Sequence, residues 1–215
     1  MKGNYFDLDS ADYDFANIIL VEGQDDAFLL EIVLNLLEIP PREARIIVCK
    51  GKSGFGKHIP LIVKSIPFAK KIRSLSIIRD ADEDYNSALR EVHGYLRREN
   101  LPLPDVSDFV DSEGKRVGVY FFPRPQENGD LESLAIELAT ASEELSETLQ
   151  FVDSARLRNP NLNKISKRKI QVYLGGVSQE IRPTVGWAFR DGTIPISLEV
   201  LPELTSFMRS VLIVE

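Results

Sequence analysis

The sequence predicts an α/β protein, a three-layer sandwich built on a mainly parallel sheet with a C-terminal helical segment, and three observations predict it. Short apolar runs alternate with stretches of helical spacing three times between residues 17 and 100. Pro40-Pro41 and Leu101-Pro102 close two of the helical stretches. The first and third apolar runs end directly on acidic residues. Strand and helix in strict alternation give parallel strands with helices on both faces. The crossovers are then right-handed, which places the helices in outer layers.

Each element follows from its own residues. Asn17 to Val21 is a compact apolar strand that runs into Glu22-Gly23. Asp25 to Leu37 is a helix, with Phe28, Leu29, Ile32, Leu36 and Leu37 on one side, and the two prolines stop it. Arg45 to Cys49 is a second strand, followed by the glycine-bearing stretch Gly51 to Gly56. His58 to Ala69 reads as a helix with Pro60 in its first turn. Arg73 to Asp80 is the third strand, and Asp84 to Asn100 the third helix, with Glu83 and Asp84 at its start. Val106 to Asp111 and Lys115 to Phe122 form a hairpin through Ser112-Glu113-Gly114, and the second arm is apolar enough to be a core strand. A loop, Pro123 to Gly129, leads to a helix over Asp130 to Ser142. A basic helix, Asn161 to Leu174, and an apolar one, Leu201 to Val214, finish the chain. The expected organisation is an acidic segment over residues 1–16, an α/β domain over 17–150 and a basic, helical extension over 151–215 packed on it.

Composition narrows the function. The chain has 215 residues, 43% apolar and 27% charged. Its longest apolar stretch, Phe28 to Ile39, is broken by Glu31, Asn35 and Glu38, so no membrane span or membrane partner is expected. Asp7, Asp9, Asp12 and Asp14 against Lys2 are the opposite of a signal peptide. One cysteine, Cys49, excludes an internal disulfide and fits the cytoplasm. Two histidines and that cysteine do not suffice for a structural zinc site. A net charge of −7 argues against a free-standing nucleic-acid binder. Yet Arg156 to Arg182 holds seven Lys or Arg residues against Glu180 alone, either a solvated helical face or a phosphate-binding tract.

The run Arg79-Asp80-Ala81-Asp82 is the most informative. Residues i and i+2 of a strand share a face, so Asp80 and Asp82 are expected to aim at one small volume. Paired carboxylates repel unless a cation or a shared proton offsets them, and oxygen donors suit Mg²⁺ or Mn²⁺. The alternative is a solvated turn that starts the next helix. Parallel sheets collect function beyond the C-terminal ends of their strands. Glu22 ends the first strand, 58 residues before Asp80, a spacing that suits two βα units and sets the strands side by side. Asp25 and Asp26 read as helix-start residues, with Asp25 near enough to Glu22 to support it. Gly51-Lys52-Ser53-Gly54-Phe55-Gly56-Lys57-His58 nearly matches a P-loop, but His58 stands where Ser or Thr would hold Mg²⁺. It is then a turn whose amides and lysines meet a phosphate, or a loop needing positive φ. Trp187 and Phe189 are expected to pack the C-terminal segment.

Leu20-Val21-Glu22-Gly23, the glycine-lysine turn and Arg79-Asp80-Ala81-Asp82, in that order, resemble the Toprim fold over roughly residues 17–140. Topoisomerases, bacterial primases, small maturation ribonucleases, recombination proteins and OLD-type nucleases share that domain. The whole chain looks most like a stand-alone prokaryotic Toprim-like protein, nearest to the OLD type. The resemblance implies Glu22 as general acid or base close to the metal, and Asp80 and Asp82 as Mg²⁺ (or Mn²⁺) ligands. Gly129-Asp130-Leu131-Glu132 matches an OLD-like segment and implies Glu132 as a fourth carboxylate. A downstream lysine assists in that branch, matched loosely by Lys164 or Lys167. No topoisomerase-type tyrosine, primase zinc module or OLD ATPase domain can be matched. The implied activity is Mg²⁺-dependent phosphodiester hydrolysis of DNA or RNA; Lys52 and Lys57 of the glycine-lysine turn and Lys167 and Arg168 of the basic tract are the phosphate contacts expected from their own positions. The alternative is a non-catalytic subunit that binds a metal and a nucleotide or nucleic acid and works with a protein partner.

Overall fold

The computed structural model describes residues 5–7, 12–105, 108–112, 114–139, 143–179 and 183–212. Five strands form one sheet: β1 (Asn17–Val21), β2 (Ala44–Val48), β3 (Ser74–Asp80), β4 (Asp108–Ser112) and β5 (Lys115–Phe122). Their order is β2-β1-β3-β5-β4, and all are parallel except β4, which pairs antiparallel with β5. β1 and β3 are neighbours, with Val21 opposite Ile78, so the chain segments after them emerge at one edge.

The alternation of side chains builds two apolar layers. Ile18, Leu20, Ile47, Leu75, Ile77, Val119 and Phe121 face one cluster with α2 (Lys52–Val63) and α4 (Tyr85–Arg98). Ile19, Val21, Ile46, Ile78, Tyr120 and Phe122 face the other, with α1 (Gln24–Leu36), α5 (Leu131–Leu138), α7 (Ile165–Val177), α8 (Val185–Asp191) and α9 (Pro202–Leu212). The protein is a three-layer α/β sandwich, and every residue of β1 is buried, as a strand covered on both faces requires. The C-terminal helices share one apolar cluster with α1 and the sheet. The edges are guarded: Tyr5 accepts a hydrogen bond from the Ile46 amide beside β2 (2.9 Å), and β4 is short and carries Asp108 and Asp111.

Several boundaries differ from the sequence reading. The expected loop Gly51 to Gly56 is mostly the start of α2, which begins at Lys52, and a short α3 (Ile66–Lys70) follows it. Only Gly51 of these glycines has positive φ, 105°. Gly54 is needed for proximity, since a Cβ there would lie 1.9 Å from the Cys49 carbonyl oxygen. At Gly56 a Cβ would meet the Tyr95 ring at 2.8 Å. Gly54→Ala is therefore expected to lower the unfolding free energy by on the order of 3 kcal/mol in a urea titration, because the opposing atom is backbone and has no rotamer to change.

A further helix, α6 (Glu143–Arg158), was not expected, because its sequence lacks an apolar stripe: of its side chains Leu145 and Val152 are buried. α8 was also missed, although Thr184 caps it by accepting from the Trp187 amide. The basic helix begins at Ile165 rather than Asn161, after Lys164 in the left-handed region (φ 50°). α5 ends at Leu138, and the expected end of that helix, Ser142, lies outside the described residues, as do Val106, Glu113, Glu180, Arg182 and Val214. Asp9 and Lys2 lie outside them too. Phe189 is buried as expected, while Trp187 is 43% exposed and leans on Phe28. Among the described residues no helix is long and apolar enough to cross a membrane.

Candidate functional site

Five carboxylates, Glu22, Asp25, Asp26, Asp80 and Glu132, line one small pocket at the C-terminal edge of β1 and β3. Glu22 follows the last residue of β1, and Asp80 is the last residue of β3. Asp26 sits in the first turn of α1, where its Oδ2 accepts from the Gly23 amide at 2.7 Å, and that bond turns it back toward the strand tip. Glu132 is the second residue of α5. The amide of the residue before it, Leu131, donates to Asp80 Oδ1 at 2.9 Å, so the positive end of α5 points at Asp80. The pocket holds about 340 Å³, and Asp25, Thr184 and Lys167 complete its wall.

The electrostatics show a site with too much negative charge. Asp26 is pushed up to about 7, first by burial and then by the charges of Glu22, Asp25 and Glu132, against the Gly23 hydrogen bond. Burial likewise raises Asp80 well above the usual carboxylate range, with repulsion from Asp26, Glu132, Glu22 and Asp130 added. Glu22 is raised by burial, partly offset by the nearby Arg79 and Lys52. Lys167 alone of the pocket's wall is basic, and its Nζ lies 3.3 Å from Glu132.

Asp82 does not join this group as the two-residue strand period predicts. β3 ends at Asp80, and Asp82 adopts φ 57° while exchanging two 2.7 Å backbone hydrogen bonds with Gly129. Its carboxylate turns to the α2 side of the sheet, where it pairs with Lys52 and lies 3.4 Å from Arg79 Nη2. Arg79 is the largest fully buried side chain. Its guanidinium holds Glu91 at 2.7 Å and the Asp80 carbonyl at 3.2 Å, approaches Glu22 Oε2 at 3.9 Å and lies over the Phe55 ring. Asp80 and Asp82 thus border different hollows. Asp82, Lys52, Arg79, Arg156 and Lys164 line a larger cleft of about 890 Å³.

The donor set fits a hard divalent ion. Glu22, Asp26, Asp80 and Glu132 offer carboxylate oxygens to the pocket, and Glu22 Oε2 is buried with no hydrogen-bond partner. Among the described residues no three His, Cys, Asp or Glu side chains are already grouped as a ligand cage. Of the expected Glu22, Asp80, Asp82 and Glu132, three line the pocket, as does Asp26, while Asp82 lines the cleft instead. Of the expected phosphate contacts, Lys52 is in the cleft, Lys167 in the pocket, and Arg168 is bonded to the Asn163 carbonyl on the outer side of α7. Lys57 is exposed on α2 and lines neither hollow. Lys164 borders the cleft, whereas Lys167 borders the pocket.

Two residues of this site were passed over in the sequence. Asp26 was read as a helix-start charge, although a carboxylate three residues after the strand-helix junction is placed to fold back on that junction. Arg79 gave no signal, because its burial depends on α2 and α4 closing over it. Asp25 serves structure: Thr184 Oγ1 donates to it at 2.6 Å and docks α8 on α1.

Asp26 makes stability depend on pH. It titrates near 3.8 when unfolded and at about 7 when folded, so the folded state binds the proton more tightly. Its contribution is complete below about 3.8 and is lost as pH rises through about 7. In EDTA, wild type is expected to lose stability relative to Asp26→Asn across that window, measured by urea denaturation at several pH values. Equal slopes for the two proteins would show that Asp26 is not the titrating group.

Residues 16–212, from the eve of β1 to the end of α9, match a family described as "Protein of unknown function (DUF3226)". No curated protein and no solved structure matches the chain.

Proposed function

We propose that this chain, which belongs to the DUF3226 family, is a Toprim-like, Mg²⁺- or Mn²⁺-dependent phosphodiester hydrolase acting on DNA or RNA in the cytoplasm. The observation that carries the reading is that Glu22, Asp26, Asp80 and Glu132 line one pocket at the tips of two adjacent parallel strands, where burial raises the carboxyl pKa values of Glu22, Asp26 and Asp80 and a cation would relieve them. Those four side chains would hold the ion. When bound, it supplies Lewis-acid polarisation of a phosphodiester and favours a nucleophilic water.

The remaining work falls to the chain. Glu22 Oε2, buried and without a hydrogen-bond partner, would take or return a proton. Lys52 and Lys164 border the cleft beside Asp82, and Lys167 stands at the pocket itself. Their charges would orient phosphates and offset charge that develops at the reacting one. Arg79 contributes fixed positive charge beside Glu22 without reaching solvent.

The test is incubation of purified protein with end-labelled DNA and RNA, single- and double-stranded, under Mg²⁺ or Mn²⁺ and in EDTA. Metal-dependent cleavage is expected. Intact nucleic acid in every reaction overturns the hydrolase reading. One observation favours a second reading, the non-catalytic subunit: Asp82, a ligand by the resemblance, is held by Lys52 and Arg79. Metal binding with intact nucleic acid and a co-purifying protein partner would select it.

A further inference from the structure

The α6–α7 hairpin is acidic along the first part of α6, with Glu143, Glu144, Glu147 and Asp153, and basic from Arg156 onward. Residues 154–179 contain six Lys or Arg residues and no Asp or Glu, in a chain of net charge −7. Five of the six, Arg156, Arg158, Lys164, Lys167 and Arg168, are exposed. Among the described residues Lys167 and Lys169 have acidic partners, Glu132 and Asp153, while Arg156, Arg158, Lys164 and Arg168 have none.

The same hairpin presents apolar side chains to solvent. Phe151 is 61% exposed, more than any other described phenylalanine, and Leu157 is 85% exposed. An apolar groove of about 300 Å³ lies between the two helices, with Phe151 and Val172 on its walls and Arg168 at its rim. Leu162 lines this groove and also the large cleft beside Asp82, and Arg156 lines that cleft too. Groove and cleft therefore meet at the turn between α6 and α7.

We propose that this hairpin is a docking arm for single-stranded nucleic acid, with phosphates on the arginines and lysines and a base stacked on Phe151. The direction of the strand, into the cleft and on to Glu22 and Asp80, rests on the hydrolase reading above; the binding itself does not. Cations along a groove with an exposed ring are what a single strand needs, because it offers a charged backbone and free π-faces together. A duplex keeps its base faces stacked inside and has nothing to give Phe151. A second copy of this chain fits poorly, since a two-fold contact would press the same basic rim against itself.

Fluorescence anisotropy in EDTA tests this, with single-stranded DNA, single-stranded RNA and duplex DNA, each of about twelve nucleotides, a length within the usual binding-site range. At least about tenfold tighter binding of one or both single strands than of the duplex is expected. Phe151→Ala should weaken single-strand binding about five- to hundredfold, and Phe151→Tyr, which keeps the ring, should restore it. Arg156→Gln should reduce the salt slope of binding by about one. Phe151 is exposed, so an unchanged melting temperature controls for folding. Equal affinity for duplex, or indifference to Phe151→Ala, overturns the proposal. So does a concentration-dependent dimer that Phe151→Ala dissolves. If cleavage occurs but Phe151→Ala binds as wild type, the arm falls and the hydrolase reading stands. If single strands bind through Phe151 but are never cut, the arm stands and the hydrolase reading falls.

Discussion

Asp80→Asn is expected to abolish metal-dependent cleavage, by at least about a thousandfold, while making the metal-free protein more stable. The two effects have one cause. Asp80 is a carboxylate pressed among Asp26, Glu132 and Glu22 and raised well above its ordinary pKa by burial and by their charge. Asparagine keeps an Oδ1 to accept from the Leu131 amide, so the 2.9 Å bond that joins β3 to α5 survives. It removes the charge that the site repels and that an ion would require. A gain on the order of 1 kcal/mol corresponds to about 2–4 °C in Tm for a chain of this size. Thermal melts in EDTA and in Mg²⁺ check it: wild type should rise in Tm when Mg²⁺ is added, and Asp80→Asn should not. A variant that melts lower in EDTA would show that the four carboxylates do not repel one another in the folded state. A variant that cuts nucleic acid like wild type would remove the pocket from the mechanism.

Arg79→Met carries the largest expected stability loss, about 3–5 kcal/mol. Methionine of similar length fills the space beside Phe55 but leaves Glu91, Asp82 and Glu22 without the guanidinium that now sits among them. Glu91 is the closest partner, and its pKa, raised by burial, is brought down overall by its bonds to Arg79 and Tyr95. Urea denaturation of Arg79→Met, Glu91→Gln and the double variant forms a cycle. The double variant should lose less than the sum of the singles, because Glu91→Gln removes one of the orphaned charges. Arg79→Lys should fall between, since an ammonium keeps the charge but cannot reach several acceptors with a planar fork. A loss under about 1 kcal/mol for Arg79→Met would mean that solvent already screens these carboxylates.

Asp82 shows where reading by pattern stops. The two-residue strand period holds through Asp80 and correctly sends Asp80 and Arg79 to opposite faces of the sheet. It fails at Asp82 because the strand has ended and the chain is captured by Gly129, whose backbone exchanges two hydrogen bonds with it. That partner lies 47 residues further on, beyond any local window. The glycines of α2 fail the same way: Gly54 and Gly56 resemble a loop in sequence, yet they are helical and small because Cys49 and Tyr95 stand against them. α6 escaped notice because little of it is buried, so burial left no period in its sequence.

The apolar runs of β1, β2, β3 and β5, their alternation with helices and the handedness of the crossovers were enough to set Glu22 and Asp80 at one edge of a parallel sheet. Each of those facts is encoded within a few neighbouring residues, through side-chain period and backbone propensity. The grouping of Asp26 with Asp80, the turning of Asp82 toward Lys52 and Arg79, and the meeting of the α6–α7 groove with the cleft arise between segments tens of residues apart. Such contacts depend on how buried charges find partners once water is excluded, and that balance exists only after the layers have closed.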